Sequence, residues 1–151
     1  LTVKENIDLA LQNSSYSSAA IRNRREQLIN EFNLNKFVDN YGYQLSGGER
    51  RRCEIARALS VGRKGPKYLL LDEPFAGIDP LAVNDLKKLI LTLSSGGVGI
   101  LITDHNVRET LLITNKSYVL SEGKILAYGS SSELADNPIV KKYYLGDDFK
   151  L

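Results

Sequence analysis

Along the first forty residues the apolar positions recur at helical spacing: Ile7 and Leu11, then Ile21, Leu28, Ile29 and Phe32, three, four or seven apart. The pattern predicts helix from Val3 to about Val38, divided by the Ser-rich stretch Asn13 to Ser18. No glycine or proline interrupts it before Gly42, and the turn-like Asn40-Tyr41-Gly42 ends it. The texture then changes. A helix is expected from Gly47 to about Val61, followed by the loop Gly62 to Pro66 and a short apolar strand, Tyr68 to Leu71. Asp79-Pro80 places an aspartate N-cap before a proline at the first helical position, and Leu81, Leu86, Leu89, Ile90 and Leu93 carry that helix to Ser94-Ser95-Gly96-Gly97. A second buried strand, Gly99 to Thr103, leads to a helix from Asn106 to Ile113. Tyr118 to Ser121 and Lys124 to Tyr128 then flank Glu122-Gly123 as a hairpin, and two short helices and a Gly-Asp-Asp tail follow between Ser131 and Leu151.

Strands alternating with helices imply an α/β fold, a mainly parallel sheet with helices packed on it. The expected organisation is a helical segment over residues 1–45, an α/β core over 46–130 and a helical tail over 131–151. With 151 residues, 42% hydrophobic and 25% charged, the chain suits one modest core and not wholesale disorder. Twenty basic against eighteen acidic residues leave a charge of +2, so any basic site must be local. The single cysteine, Cys53, excludes an internal disulfide and fits a reducing compartment. No stretch approaches the roughly 18 apolar residues of a membrane span, and Leu1 to Ile7 lacks the make-up of a signal peptide. Methionine is absent and the chain opens inside a structured segment, so a piece of something longer is expected.

Three places carry candidate chemistry. In Leu45-Ser46-Gly47-Gly48-Glu49 the structural reading is a capping box, Ser46 capping and Glu49 reaching back. The two glycines argue for more, since they cost helix propensity and leave backbone N–H groups bare at the positive end of a helix dipole, where a phosphate can bind. Tyr68 to Leu71 delivers adjacent carboxylates, Asp72 and Glu73, to the C-terminal end of a strand, where α/β sheets bind ligands. Side chains leaving a strand alternate, so one acid can serve a metal's water shell and the other an attacking water; the plainer reading is an acidic turn. His105, the only histidine, follows the second strand through Thr103-Asp104, and in one parallel sheet it would end at the same edge as Glu73. Taken alone it reads as a structural or exposed histidine. Arg50-Arg51-Arg52 reads as a solvated helix face and Cys53 as a small core residue.

In this order the motifs resemble those of the ATP-binding subunits of ABC transporters. Leu45 to Glu49 resembles the signature motif, with Glu49 where most members have Gln; Leu69 to Asp72 resembles the Walker B strand, Gly77-Ile78-Asp79 the D-loop and His105 the switch histidine. The resemblance implies a P-loop NTPase-like core with a helical subdomain, N-terminally truncated, and two subunits that sandwich two ATP molecules. It assigns Ser46, Gly47, Gly48 and Glu49 to the ATP held by the partner, Asp72 to Mg²⁺ through water, Glu73 and His105 to catalysis and Asp79 to communication across a homodimer. It further implies transmembrane permease partners, a place on the cytoplasmic face of the inner membrane, and no nucleic acid.

Leu45 to Ile55, Thr103 to Leu111 and Tyr144 to Leu151 resemble the ATPases of lipopolysaccharide export more closely than those of branched-chain amino-acid importers. Two departures stand out. The loop Val61 to Lys67 is a few residues longer than is usual in the family, and no G-x-x-x-x-G-K-[ST] phosphate loop or glutamine loop is present. Alone, the chain is expected not to hydrolyse ATP. Competing readings are a soluble ATPase of this kind serving nucleic acid, and a binding-only cassette that offers its signature face and helical section to a partner.

Overall fold

The computed structural model describes residues 1–13, 16–62 and 65–146. It divides into two compact units, Leu1–Leu101 and Ile102–Leu151. Residues 14–15 of the Ser-rich connection, 63–64 of the Gly-rich connection and 147–151 of the tail lie outside the described residues.

The first unit opens with helix α1 (Val3–Gln12), started by a capping box in which Thr2 Oγ1 accepts from Glu5 N–H and Glu5 accepts from Thr2 N–H. Val3, Ile7 and Leu11 form its buried stripe at a spacing of four. Helix α2 (Ser18–Glu31) contributes Leu28 and Ile29, and Phe32 and Leu34 complete the core beyond its end. Arg25 Nη1 lies 2.8 Å from both oxygens of Asp8 in a half-buried ion pair that ties α2 to α1. Val3 N–H donates to Asn40 O and Lys4 N–H to Val38 O, so the helical segment closes on its own beginning. Two 3₁₀ turns, Asn35–Phe37 and Gly42–Gln44, lead into helix α3 (Gly47–Leu59).

Strand β1 (Tyr68–Asp72) buries Leu69 and Leu71, and helix α4 (Pro80–Ser95) buries Val83, Leu86, Ile90 and Leu93. Strand β2 (Gly99–Thr103) pairs with β1. Gly99 N–H donates to Lys67 O at 2.9 Å, which sets the two strands start to start and therefore parallel, as expected. Any side chain at Gly99 would collide with the Tyr68 ring: a Cβ there would stand only 2.5 Å from it.

The second unit holds α5 (Val107–Leu111), the antiparallel strands β3 (Ser117–Ser121) and β4 (Lys124–Gly129), and the short helices α6 (Ser131–Asp136) and α7 (Pro138–Val140). Glu122 and Gly123 both have positive φ, 49° and 73°, the backbone that a two-residue hairpin loop requires. Leu111, Val119, Ala127, Leu134 and Val140 form this unit's core. A π-helical turn, Lys141–Leu145, continues from α7 where the sequence pattern had indicated only a short helix. Among the described residues no helix is long and apolar enough to cross a membrane.

Candidate functional site

Leu45 is buried and extended, and it delivers Ser46 to the N-cap of α3. The capping box read from the sequence is present: Glu49 N–H donates to Ser46 Oγ at 3.3 Å and Ser46 N–H to Glu49 Oε2 at 2.8 Å. The box leaves the Ser46 hydroxyl proton available to a ligand oxygen, because the cap uses Oγ only as an acceptor. It also turns the Glu49 carboxylate back onto its own helix start.

The glycines have a second cause that spacing alone does not reveal. A Cβ on Gly47 would lie 2.8 Å from Ile78 Cγ2 and 2.9 Å from the Gly77 carbonyl oxygen; one on Gly48 would lie 2.7 Å from Ala82 Cβ. The first turn of α3 thus seats directly against the Gly77-Ile78 loop and the first turn of α4. Asp79, expected to communicate across a dimer, caps α4, its Oδ1 accepting from Ala82 N–H at 2.9 Å. Signature-like and D-loop-like residues, thirty positions apart in sequence, form one packed feature.

The carboxylates Asp72 and Glu73 emerge at the end of β1, both exposed. Glu73 has φ of 45°, in the left-handed region that costs a non-glycine residue about 1–3 kcal/mol. Burial of Pro74 and Phe75 immediately afterwards holds the bend, and Ala76 N–H closes it onto Glu73 O at 3.1 Å. A further donor comes from α3: Arg51 Nη2 reaches Glu73 O at 3.1 Å while its Nη1 meets Glu54 Oε2 at 2.8 Å. The arginine run is therefore not a uniform solvated face. Arg50 is exposed, but Arg51 and Arg52 are half-buried, and Arg52 Nε is enclosed without a hydrogen-bond partner. Cys53 is a buried core residue, as read, and burial pushes its thiol pKa up, against a smaller opposing effect of Arg57.

His105 lies in the second unit. Its side chain is 71% exposed, and Nδ1 stands 3.9 Å from Oδ1 of the buried Asp104 side chain, which also accepts from Asn106 N–H at 2.8 Å. This short Asx-type turn presents the ring at the head of α5.

Among the described residues no group of three or more His, Cys, Asp and Glu side chains is placed to enclose a metal. The donor set suits a magnesium ion that keeps most of its water, which needs only one or two carboxylates. It also suits a phosphate group, with bare N–H groups and one hydroxyl at the start of a 13-residue helix. The residues present thus fit Mg²⁺ and a nucleotide phosphate, without a cradle for the remaining phosphates.

The ABC transporter family model matches residues 1–76. The lipopolysaccharide export system ATP-binding protein LptB of Haemophilus influenzae is 49% identical over 152 residues, a match that spans all of this chain and 62% of that protein. LptB of Acidithiobacillus ferridurans is 47% identical over 151 residues, again across the whole chain and 61% of the relative. The chain therefore spans about three-fifths of the length of these curated relatives. Among solved structures, the ADP conformation of MJ1267, an ATP-binding cassette of an ABC transporter, superposes with a TM-score of 0.77 at 26% identity, over 97% of this chain and 63% of that one. The α/β architecture expected from the sequence is that cassette's fold.

Proposed function

The chain belongs to the ABC transporter family, and on that premise we propose that it forms part of an ATP-hydrolysing subunit that powers export of lipopolysaccharide. The observation that carries the ATPase reading is the joint placement, in one unit, of the Ser46–Gly48 helix start, the Gly77–Asp79 loop packed on it and the exposed Asp72-Glu73 pair. The export reading rests on near-50% identity to LptB proteins across the whole chain.

ATP with Mg²⁺ supplies the scissile phosphoanhydride and the charge that offsets its negative oxygens. The chain's own residues do the rest. Ser46 O–H and the N–H groups of Gly47 and Gly48 hold phosphate oxygens of a nucleotide bound to a second copy, favoured by the helix dipole. Asp72 accepts from water around the cation. Glu73 accepts a proton from, or orients, the attacking water, and His105 donates to a phosphate oxygen. Gly77 to Asp79, packed against Gly47, transmits engagement of the signature face to the neighbouring copy. The partners are a second copy and transmembrane permease subunits, with the helical segment from Val3 to Val38 as the docking surface, on the cytoplasmic face of the inner membrane. No G-x-x-x-x-G-K-[ST] phosphate loop lies within the 151 residues, so these residues supply the signature face and the water-handling carboxylate of the proposed site and not the phosphate cradle.

The test uses the polypeptide as its gene encodes it. Glu73→Gln should leave ATP binding intact and lower turnover about a hundredfold or more, because the carboxylate that handles water is gone. Near-normal turnover in that variant overturns the assignment.

A further inference from the structure

We propose that Arg51 is a positioning residue for Glu73, fixing the backbone from which that carboxylate projects and tying it to the signature helix; the inference rests on the reading of Glu73 as the group that acts on water. The Glu73 carbonyl accepts twice, from Ala76 N–H at 3.1 Å within its own turn and from Arg51 Nη2 at 3.1 Å across from α3. The first contact belongs to any such turn. The second links two elements whose contacting residues are 22 positions apart.

The link is itself braced. Arg51 Nη1 donates to Glu54 Oε2 at 2.8 Å, one turn further along α3, so the guanidinium is held in a fork between a carboxylate and a carbonyl. A planar guanidinium can serve both acceptors at fixed geometry, whereas a lysine ammonium on a flexible stem holds them less rigidly. The backbone that Arg51 grips is the strained one, with Glu73 at φ 45°. A strained residue keeps its conformation only while its surroundings over-determine it. Removing one of the anchors loosens the direction in which the Glu73 side chain leaves the chain, and a misplacement of about 1 Å at a water-handling carboxylate can cost two orders of magnitude in rate.

Arg51 also sits one turn into the helix that begins at Ser46. A shift of α3 when its first turn engages phosphate reaches the Glu73 carbonyl through a single side chain. The carboxylate of one site is thereby mechanically coupled to the face that meets the other nucleotide.

The experiment compares Arg51→Ala, Arg51→Lys and Glu54→Gln with Glu73→Gln in the polypeptide as encoded, measuring kcat, KM for ATP and thermal unfolding. Arg51→Ala should lower kcat about tenfold with KM within about twofold and no loss of melting temperature, Arg51→Lys should recover part of the rate, and Glu54→Gln should fall between them. Amide hydrogen exchange gives an independent readout: the Ala76 N–H, which shares the Glu73 carbonyl, should exchange faster in Arg51→Ala while α4 is unchanged. A kcat within twofold of the parent, an unaltered Ala76 exchange rate, or a joint fall of kcat, affinity and melting temperature overturns the proposal. Normal turnover in Glu73→Gln instead overturns the reading of Glu73 beneath it.

Discussion

Gly47 and Gly48 show how one residue type serves two physical demands. Bare N–H groups at a helix start need no glycine in principle, since alanine exposes the same donors. The packing against Ile78, the Gly77 carbonyl and Ala82 does, because a methyl on either glycine would stand less than 3 Å from those atoms. At Gly47 the obstacle includes backbone, which yields least. Alanine at Gly48 should therefore destabilise by about 1–3 kcal/mol through overpacking, despite its better helix propensity. Because Ala82 Cβ is the close neighbour, Ala82→Gly should restore most of that loss in the double variant, and urea unfolding of the four proteins in the cycle measures it. Simple additivity of the two losses would place the clash elsewhere. From sequence the glycines were legible as unusual and as a candidate phosphate site; their contact partners, thirty or more positions away, were not, since nothing local encodes that approach.

The elements repeat one device. Thr2-x-x-Glu5, Ser46-x-x-Glu49 and Ser130-x-x-Glu133 each begin a helix, and each forms both hydrogen bonds of a capping box. At Glu5 the Thr2 N–H, and at Glu133 the Ser130 N–H, donates to the carboxylate and holds its pKa below the ordinary glutamate range. With folded pKa values lower than unfolded ones, the stabilisation is fully present above the unfolded pKa and is lost as pH falls through the folded value. Helical content and melting temperature should therefore decline between about pH 5 and pH 3, and Glu5→Gln with Glu133→Gln should flatten that decline, since glutamine caps without titrating. Circular dichroism melts across that range decide it; an equally steep decline in the double variant would assign the acid sensitivity to other carboxylates. The Ser46 cap, the Asp79-Pro80 start and the Glu122-Gly123 hairpin were readable because each is written in four or fewer adjacent residues, and the Thr2 and Ser130 boxes, written in the same four-residue code, come from the structure. The 3₁₀ turns and the π turn were not, because their hydrogen bonding is selected by what packs beneath them. The Arg51 bridge to Glu73 was equally invisible, a surface-type residue drawn inward by a carbonyl on another element.

At the scale of the molecule, the apolar run Tyr68-Leu69-Leu70-Leu71 has the composition of a strand covered on both faces. Within the first unit only one face is covered: Leu69 and Leu71 are buried, while Tyr68 is 74% and Leu70 72% exposed. The near-contact of Gly99 with the Tyr68 ring puts both on one face of the sheet, and strand alternation adds Leu101, 61% exposed, to that face. The second unit behaves alike, with Val119 and Ala127 inside its core and Tyr118, Leu120 and Tyr128 at the surface of the hairpin. Isolated exposed apolar residues are ordinary, but a contiguous apolar sheet face attracts other apolar surfaces. The 151-residue chain should accordingly bind an apolar fluorescent dye such as anilinonaphthalene sulfonate in its native state and self-associate as its concentration rises. Leu70→Thr combined with Leu101→Thr removes the aliphatic part of the first unit's face while introducing β-branched residues that favour strands, so secondary structure should persist. Dye fluorescence should fall by roughly half, the remainder coming from the hairpin face, and light scattering should fall with it. Undiminished dye binding with an unchanged circular dichroism spectrum would show that the β1 and β2 face is shielded from water in solution.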